Sequence, residues 1–288
     1  MSLQAAIMLM VVLFFTSSFA LESSSLLEFL GSEHPPFLAL LPPTLAIEES
    51  FRPSSNPFAG TVDKVEGVAY VYHQDDTIAY TLKENLPLFN GDTLVTGEKS
   101  RLTLQMADES SLILTAETKL TIDRSLPRMM VRDTVLQLFF GRIRSLVKKL
   151  AGEYTIRTPT GSVGVRGTDF MVAVAPTPAS ARPVWMKHVP ATLLTAVLTG
   201  GRQSTVELAG QYGPSVQVTP LSVAGVRTGG QAEPAVHVGP AAVALLQSVA
   251  PLPEDQSVQV STSSSGTGPC WPFSFKPLKE LKFFRICE

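Results

Sequence analysis

Through the middle of this chain, hydrophobic and polar positions alternate with a period of two. Leu102, Leu104 and Met106 alternate with Thr103, Gln105 and Ala107, the chain turns at Asp108-Glu109-Ser110, and Leu112, Leu114 and Ala116 alternate on the return. That pattern predicts a β-hairpin with one buried face. Short apolar or aromatic runs at residues 69–72, 78–80, 135–140, 154–157 and 170–174 continue the series, and residues 194–198, 205–208 and 216–218 extend it. Turn formers separate them, above all Asn90-Gly91-Asp92, because Asn-Gly supplies the positive φ of a tight turn. Helical spacing is confined to three short stretches. Ser25 and Glu28 have capping-box spacing around Leu26, Leu27, Phe29 and Leu30; residues 144–150 (RSLVKKL) can close as a turn; and Pro240 opens the apolar run PAAVALLQSV. Strands at this spacing without long helices predict an all-β fold, an antiparallel β-sandwich of jelly-roll type, with a short β-solenoid as the alternative topology.

Composition divides the chain further. Residues 1–20 carry no charged side chain, and an apolar run of about eleven residues ends in Ser18 and Ala20, small residues at the spacing signal peptidase reads. That run falls short of the roughly 20 residues that span a bilayer. Cleavage near Ala20 and export to the periplasm or beyond are therefore expected. Prolines at 35, 36, 42, 43, 53 and 57 break regular structure over 21–58, which reads as a linker or arm. The β domain is expected over 59–230, a short helix and flexible linker over 231–269, and a basic aromatic tail over 270–288. In that tail Lys276, Lys279, Lys282 and Arg285 recur among phenylalanines and leucines, a pattern suited to peripheral contact with an anionic membrane or to folding back on the domain. Cys270 and Cys287 bracket the tail and are a candidate disulfide in an oxidising compartment.

Charge and side-chain chemistry exclude more than they offer. Twenty-five acidic and 23 basic residues give a formal charge of −2, so the chain is no polybasic nucleic-acid binder. Two cysteines and four scattered histidines (34, 73, 188 and 237) leave little for a metal site, and none is expected, nor any cofactor. No nucleophile elbow or zinc-protease motif is present, so no enzyme is expected. The glycines at 161, 164 and 167 precede a strand pattern at 170–174 and not a helix, which argues against a phosphate loop. Arg166 lies between valine-rich stretches and is expected to pair with Asp92 or Asp169, pinning two turns together. The acidic pairs Asp75-Asp76 and Asp108-Glu109 read as solvated turn formers.

Three stretches in order resemble the FecR domain, a periplasmic iron-dicitrate-sensor module of bacterial envelope regulators. They are residues 88–97 (LFNGDTLVTG), residues 100–110 (SRLTLQMADES), and residues 158–170 (TPTGSVGVRGTDF). The resemblance covers roughly 60–175 and assigns Gly91, Asp92, Thr96, Gly97, Arg166, Gly167 and Thr168 to its structural motif. Where the family commonly has Gly in the Asp-Gly-Ser turn, this chain has Glu109. Anti-sigma members of the family carry a cytoplasmic domain and a transmembrane helix ahead of the sensor domain; a short apolar leader and a Pro-rich arm stand here instead. The resemblance thus implies fold and compartment, and a non-catalytic envelope module that contacts a protein partner. The alternative is a module for wall or surface polysaccharide, for which Tyr70, Tyr72 and Tyr80 are the candidate ligand face.

Overall fold

A computed structural model describes residues 23–31, 41–74, 76–126, 131–148, 151–176, 193–200, 206–252 and 255. The chain divides into two units, Met1–Leu252 and Pro253–Glu288. Only the first is described at length. The leader, most of the flexible linker, the basic tail and the Cys270/Cys287 pair lie outside the described residues.

The fold is predominantly β. Helix α1 (Ser23–Gly31) is followed by β1 (Ala46–Glu48), β2 (Phe58–Glu66), β3 (Ala69–Tyr72), β4 (Ile78–Thr81), β5 (Pro87–Phe89) and β6 (Thr93–Thr96). Next come β7 (Arg101–Met106), β8 (Ser111–Leu114), β9 (Lys119–Ser125), β10 (Val131–Leu146), β11 (Ala151–Thr158) and β12 (Gly161–Val165). The series ends with β13 (Asp169–Pro176), β14 (Leu193–Thr199), β15 (Val206–Gly210), β16 (Val216–Val218), β17 (Ser222–Arg227), β18 (Val236–His237) and helix α2 (Pro240–Val249). Of the stretch at 144–150 expected to turn helically, residues 144–146 are instead the end of β10, and 149–150 lie outside the described residues. The strand's side chains alternate between a core and a covered outer face, which is strand geometry.

The strands form two ladders. In the first, the order is β1-β4-β3-β6-β9-β10-β11-β12-β15-β16. In the second it is β5-β2-β7-β8-β10-β13-β14-β17-β18. Strand β10 belongs to both: it pairs with β9 and β11 up to Phe140, then with β8 and β13 from Gly141 onward. Gly141, at φ +95°, is where the strand changes layer. Pairing is not wholly antiparallel as expected, since β1–β4 and β10–β11 are parallel.

One large core is lined by both ladders, with Leu94, Leu120, Leu136 and Ile156 from the first and Leu104, Leu112, Val172 and Val226 from the second. A second core lies on the other face of the second ladder. There Ile113, Phe140, Met171, Ala173, Leu194 and Leu198 meet Leu26, Phe29 and Leu30 of α1 and Ala242 and Leu246 of α2. Burial on both faces explains the uninterrupted apolar runs in β13 and β14, where a one-sided strand would alternate. The first ladder has no such helical cover among the described residues.

Candidate functional site

The family-like motif at 91–97 sits where β3, β6 and β9 meet. Gly91 takes φ +86° and donates its N–H to the Ile122 carbonyl at 2.7 Å. Asp92 is fully buried: Oδ2 accepts from the Phe89 amide at 2.8 Å, and Oδ1 lies 2.7 Å from His73 Nδ1. Thr96, also buried, donates from Oγ1 to the Thr115 carbonyl at 2.6 Å and accepts from the Thr118 amide at 2.9 Å. Gly97 donates to the Val68 carbonyl at 2.8 Å. These residues spend their polar groups inside the fold.

His73 is the partner that local sequence reasoning missed, because it lies 19 residues from Asp92. The antiparallel register Tyr72↔Thr93 carries His73 and Asp92 to adjoining positions just beyond the ladder. Its other nitrogen, Nε2, is 2.7 Å from the carbonyl oxygen of Arg52. Burial alone would lower the imidazole, but the Asp92 carboxylate and then the Arg52 carbonyl outweigh it, and His73 lies above its ordinary value. Burial raises Asp92, against the pull of His73 and the Phe89 amide.

The second half of the motif separates. Gly167 has φ +100°, and the buried Thr168 accepts the Val147 amide at its carbonyl. Arg166, however, is exposed and makes no hydrogen bond or ion pair among the described residues. The expected pairing with Asp92 or Asp169 does not form. Asp92 is taken by His73, and Asp169 by Arg144, with Nε–Oδ1 at 2.9 Å and Nη2–Oδ2 at 2.6 Å. The reason lies in strand alternation: Val163 and Val165 point inward, so Gly164 and Arg166 point out.

Arg144 does more than hold Asp169. Its Nη1 donates to the carbonyls of Ala250 at 2.7 Å and Leu246 at 3.4 Å, at the C-terminal end of α2. Two residues earlier on the same face, Arg142 donates to the Leu30 carbonyl at the end of α1, and burial pushes its guanidinium down to about 10. Each arginine thus places positive charge at the C-terminus of one helix, where the dipole favours it.

The uncovered outer face of the first ladder is the candidate recognition surface. A row of paired positions runs across it as Thr155–Gly164–Glu207–Gln217. Because Gly164 has no side chain, the row opens into a depression of about 380 Å³ lined by Glu153, Thr155, Gly164, Arg166, Glu207 and Gln217, among others. A Cβ at Gly164 would meet nothing closer than 3.9 Å, so packing does not require the glycine. A second depression of about 370 Å³ includes Tyr72, Gln74, Asp76, Gly91 and Asp123. Of the three tyrosines expected to form a ligand face, Tyr70 and Tyr72 are half-buried on this face. Tyr80 is not on it: it pairs with Val71 and points into the core at 2 % exposure. Lys119 Nζ lies 5.8 Å from the Tyr72 ring centroid and 5.5 Å from that of Phe139. Among the described residues no group of three or more His, Cys, Asp or Glu is placed to hold a metal ion, and no helix is long and apolar enough to cross a membrane.

The family model described as FecR protein matches residues 92–184. Over that segment the chain is similar to FecR protein. The segment runs from the buried Asp92 through β13 and takes in the hairpin and the Thr158–Asp169 arch, but not β2–β5, which the resemblance had included. Two crystal structures of a proposed anti-sigma factor from Parabacteroides distasonis ATCC 8503, at 1.65 and 2.50 Å, are similar at 16 % identity and a TM-score of 0.37. Each match covers 50 % of this chain, and the chain spans 59 % of the length of those structures. No curated protein matches.

Proposed function

We propose that this FecR-like chain is a non-catalytic, exported envelope module with a sensory or interaction role, and that it recognises a protein partner on the outer face of its first ladder. One observation carries the reading: α1 and α2 cover the other ladder over β8, β13, β14 and β17, while this face leaves a polar depression at Gly164 that internal packing does not explain. Glycine inside a strand without steric cause suits the close approach of another chain. Export rests on the apolar leader ending at Ala20, and intact-mass analysis of envelope material should give a mass lacking residues 1–20. As to topology, hairpins β11–β12, β13–β14, β15–β16 and β17–β18 alternate between ladders, which supports solenoid-like winding over a jelly roll.

A photo-crosslinking residue at Thr155 or Gln217, in the full chain in its own cells, tests the reading. A discrete protein adduct is expected, lost when Gly164→Trp fills the depression and absent from a control at Lys64. No adduct above that control would overturn it. Glycan recovered without protein would favour the polysaccharide reading, to which Tyr70 and Tyr72 beside Gln74, Asp76 and Asp123 lend some support.

A further inference from the structure

Two hydrogen-bond acceptors face the two nitrogens of one buried imidazole. His73 Nδ1 lies 2.7 Å from a carboxylate oxygen of Asp92, and Nε2 lies 2.7 Å from the carbonyl oxygen of Arg52. Neither an ionised carboxylate nor a carbonyl can donate, so both contacts are hydrogen bonds only when each holds a proton. A neutral imidazole beside an ionised Asp92 supplies one proton for two contacts, which sets a nitrogen lone pair against an oxygen. The satisfied arrangement therefore holds two protons. This count stands whether the proton on the Nδ1–Oδ1 link sits nearer nitrogen or oxygen.

The surroundings make that second proton matter. Asp92 is fully buried and the His73 side chain is 11 % exposed, so water replaces a lost hydrogen bond poorly. Phe51, Tyr80 and Phe89 stand around the imidazole with ring centroids at 5.7, 5.5 and 6.2 Å. Among the described residues the titratable and charged groups nearby are Asp92 before β6, Asp76 in the β3–β4 turn, the Tyr80 hydroxyl on β4, Asp123 on β9 across the same depression, and Glu48 and Arg52 on the N-terminal arm. Glu48 and Arg52 pair with each other at 3.4 Å at the surface. Nothing in that set replaces the missing donor.

We propose that His73 is a proton-operated latch that holds residues 49–57 against the turn at 90–92. The arm lacks a strand between β1 and β2, and it meets this turn through Arg52 and Phe51 at His73 and through Asn56 Nδ2 to the Asn90 carbonyl at 2.8 Å. With two protons at the imidazole, the arm is fastened. Loss of one as pH rises frees the Arg52 carbonyl contact and bares the aromatic rings of Phe51, Tyr80 and Phe89 beside the depression that includes Tyr72 and Gly91. The latch stands independently of the recognition reading above.

The sign follows from the raised folded-state value. Latch stabilisation is fully present below about pH 6.5, the ordinary imidazole value, and is lost as pH rises through the higher folded value. Hydrogen exchange of the full chain at pH 6.0 and 8.5, corrected for intrinsic rates, is the test. Protection at residues 49–56 should fall by about tenfold per pH unit separating the folded from the ordinary value, while residues 101–114 keep theirs. In His73→Gln the difference between the two pH values should vanish. Should that variant fail to fold, ¹⁵N titration of His73 in the wild-type chain decides: both nitrogens protonated at pH 6, with a midpoint above the ordinary imidazole value, is the expected result. A His73 that is neutral at pH 6, or equal protection of residues 49–56 at both pH values, overturns the latch.

Discussion

At Gly141 an added methyl would meet Thr118 Oγ1 at 2.4 Å and the Glu117 carbonyl at 2.7 Å, on a backbone already at φ +95°. Gly141→Ala should cost about 2–4 kcal/mol in urea denaturation, combining a positive-φ penalty with a backbone clash. Gly164→Ala meets open space, and within a strand alanine is preferred, so it should change stability by no more than about 1 kcal/mol, on the stabilising side. The arginines divide the same way. Arg144→Met leaves the Asp169 carboxylate and the Ala250 carbonyl without the arginine that bonds them and should cost about 3–5 kcal/mol, whereas Arg166→Met should stay within about 0.5 kcal/mol. The sequence marked Arg166 as the arginine to watch because a motif contains it. The alternation of Val163 and Val165 already pointed it outward. Glu109 does occupy a position suited to glycine, at φ +64°, with its carboxylate 2.8 Å from Lys148 Nζ. His73 was beyond local reading, since only the strand register carries it to Asp92.

Elements were legible wherever their signal is local. The β7–β8 hairpin, α1 and α2 all follow from period and punctuation within a dozen residues. The end of strand β10 was not, because residues 144–150 have helical spacing and the strand state of 144–146 depends on partners β8 and β13. The helix-covered face was equally hidden: Arg142 and the Leu30 carbonyl are 112 residues apart, Arg144 and the Ala250 carbonyl 106. In hindsight the unbroken apolar runs of β13 and β14 were the visible trace of a second core. Leu246 is fully buried in that core, so Leu246→Ala should cost about 2–5 kcal/mol by chemical denaturation. The same change should speed exchange first in α2, because Leu246 is part of that helix's buried contribution to the core it shares with α1.

At the scale of the molecule, the class of fold came through and its winding did not, because alternation tells which face is buried and not which strand lies alongside. The shared strand has a consequence for cooperativity. Since β10 supplies pairing to both ladders, neither can lose it alone, and strands 58–227 should unfold in one transition. Far-UV circular dichroism and exchange-detected opening should give coincident urea midpoints; separate midpoints for the two ladders would contradict this.

Strand β10 also constrains how such a chain can vary over evolutionary time. Deleting or inserting one residue within 131–146 would invert inside and outside for the remainder of the strand and move Arg142 and Arg144 away from the helix ends they hold. Sixteen consecutive positions are therefore fixed in number, though free in many of their identities. Length changes among descendants should gather in hairpin connections such as that between β15 and β16, leaving a gapless block at the centre of any lineage that keeps this architecture.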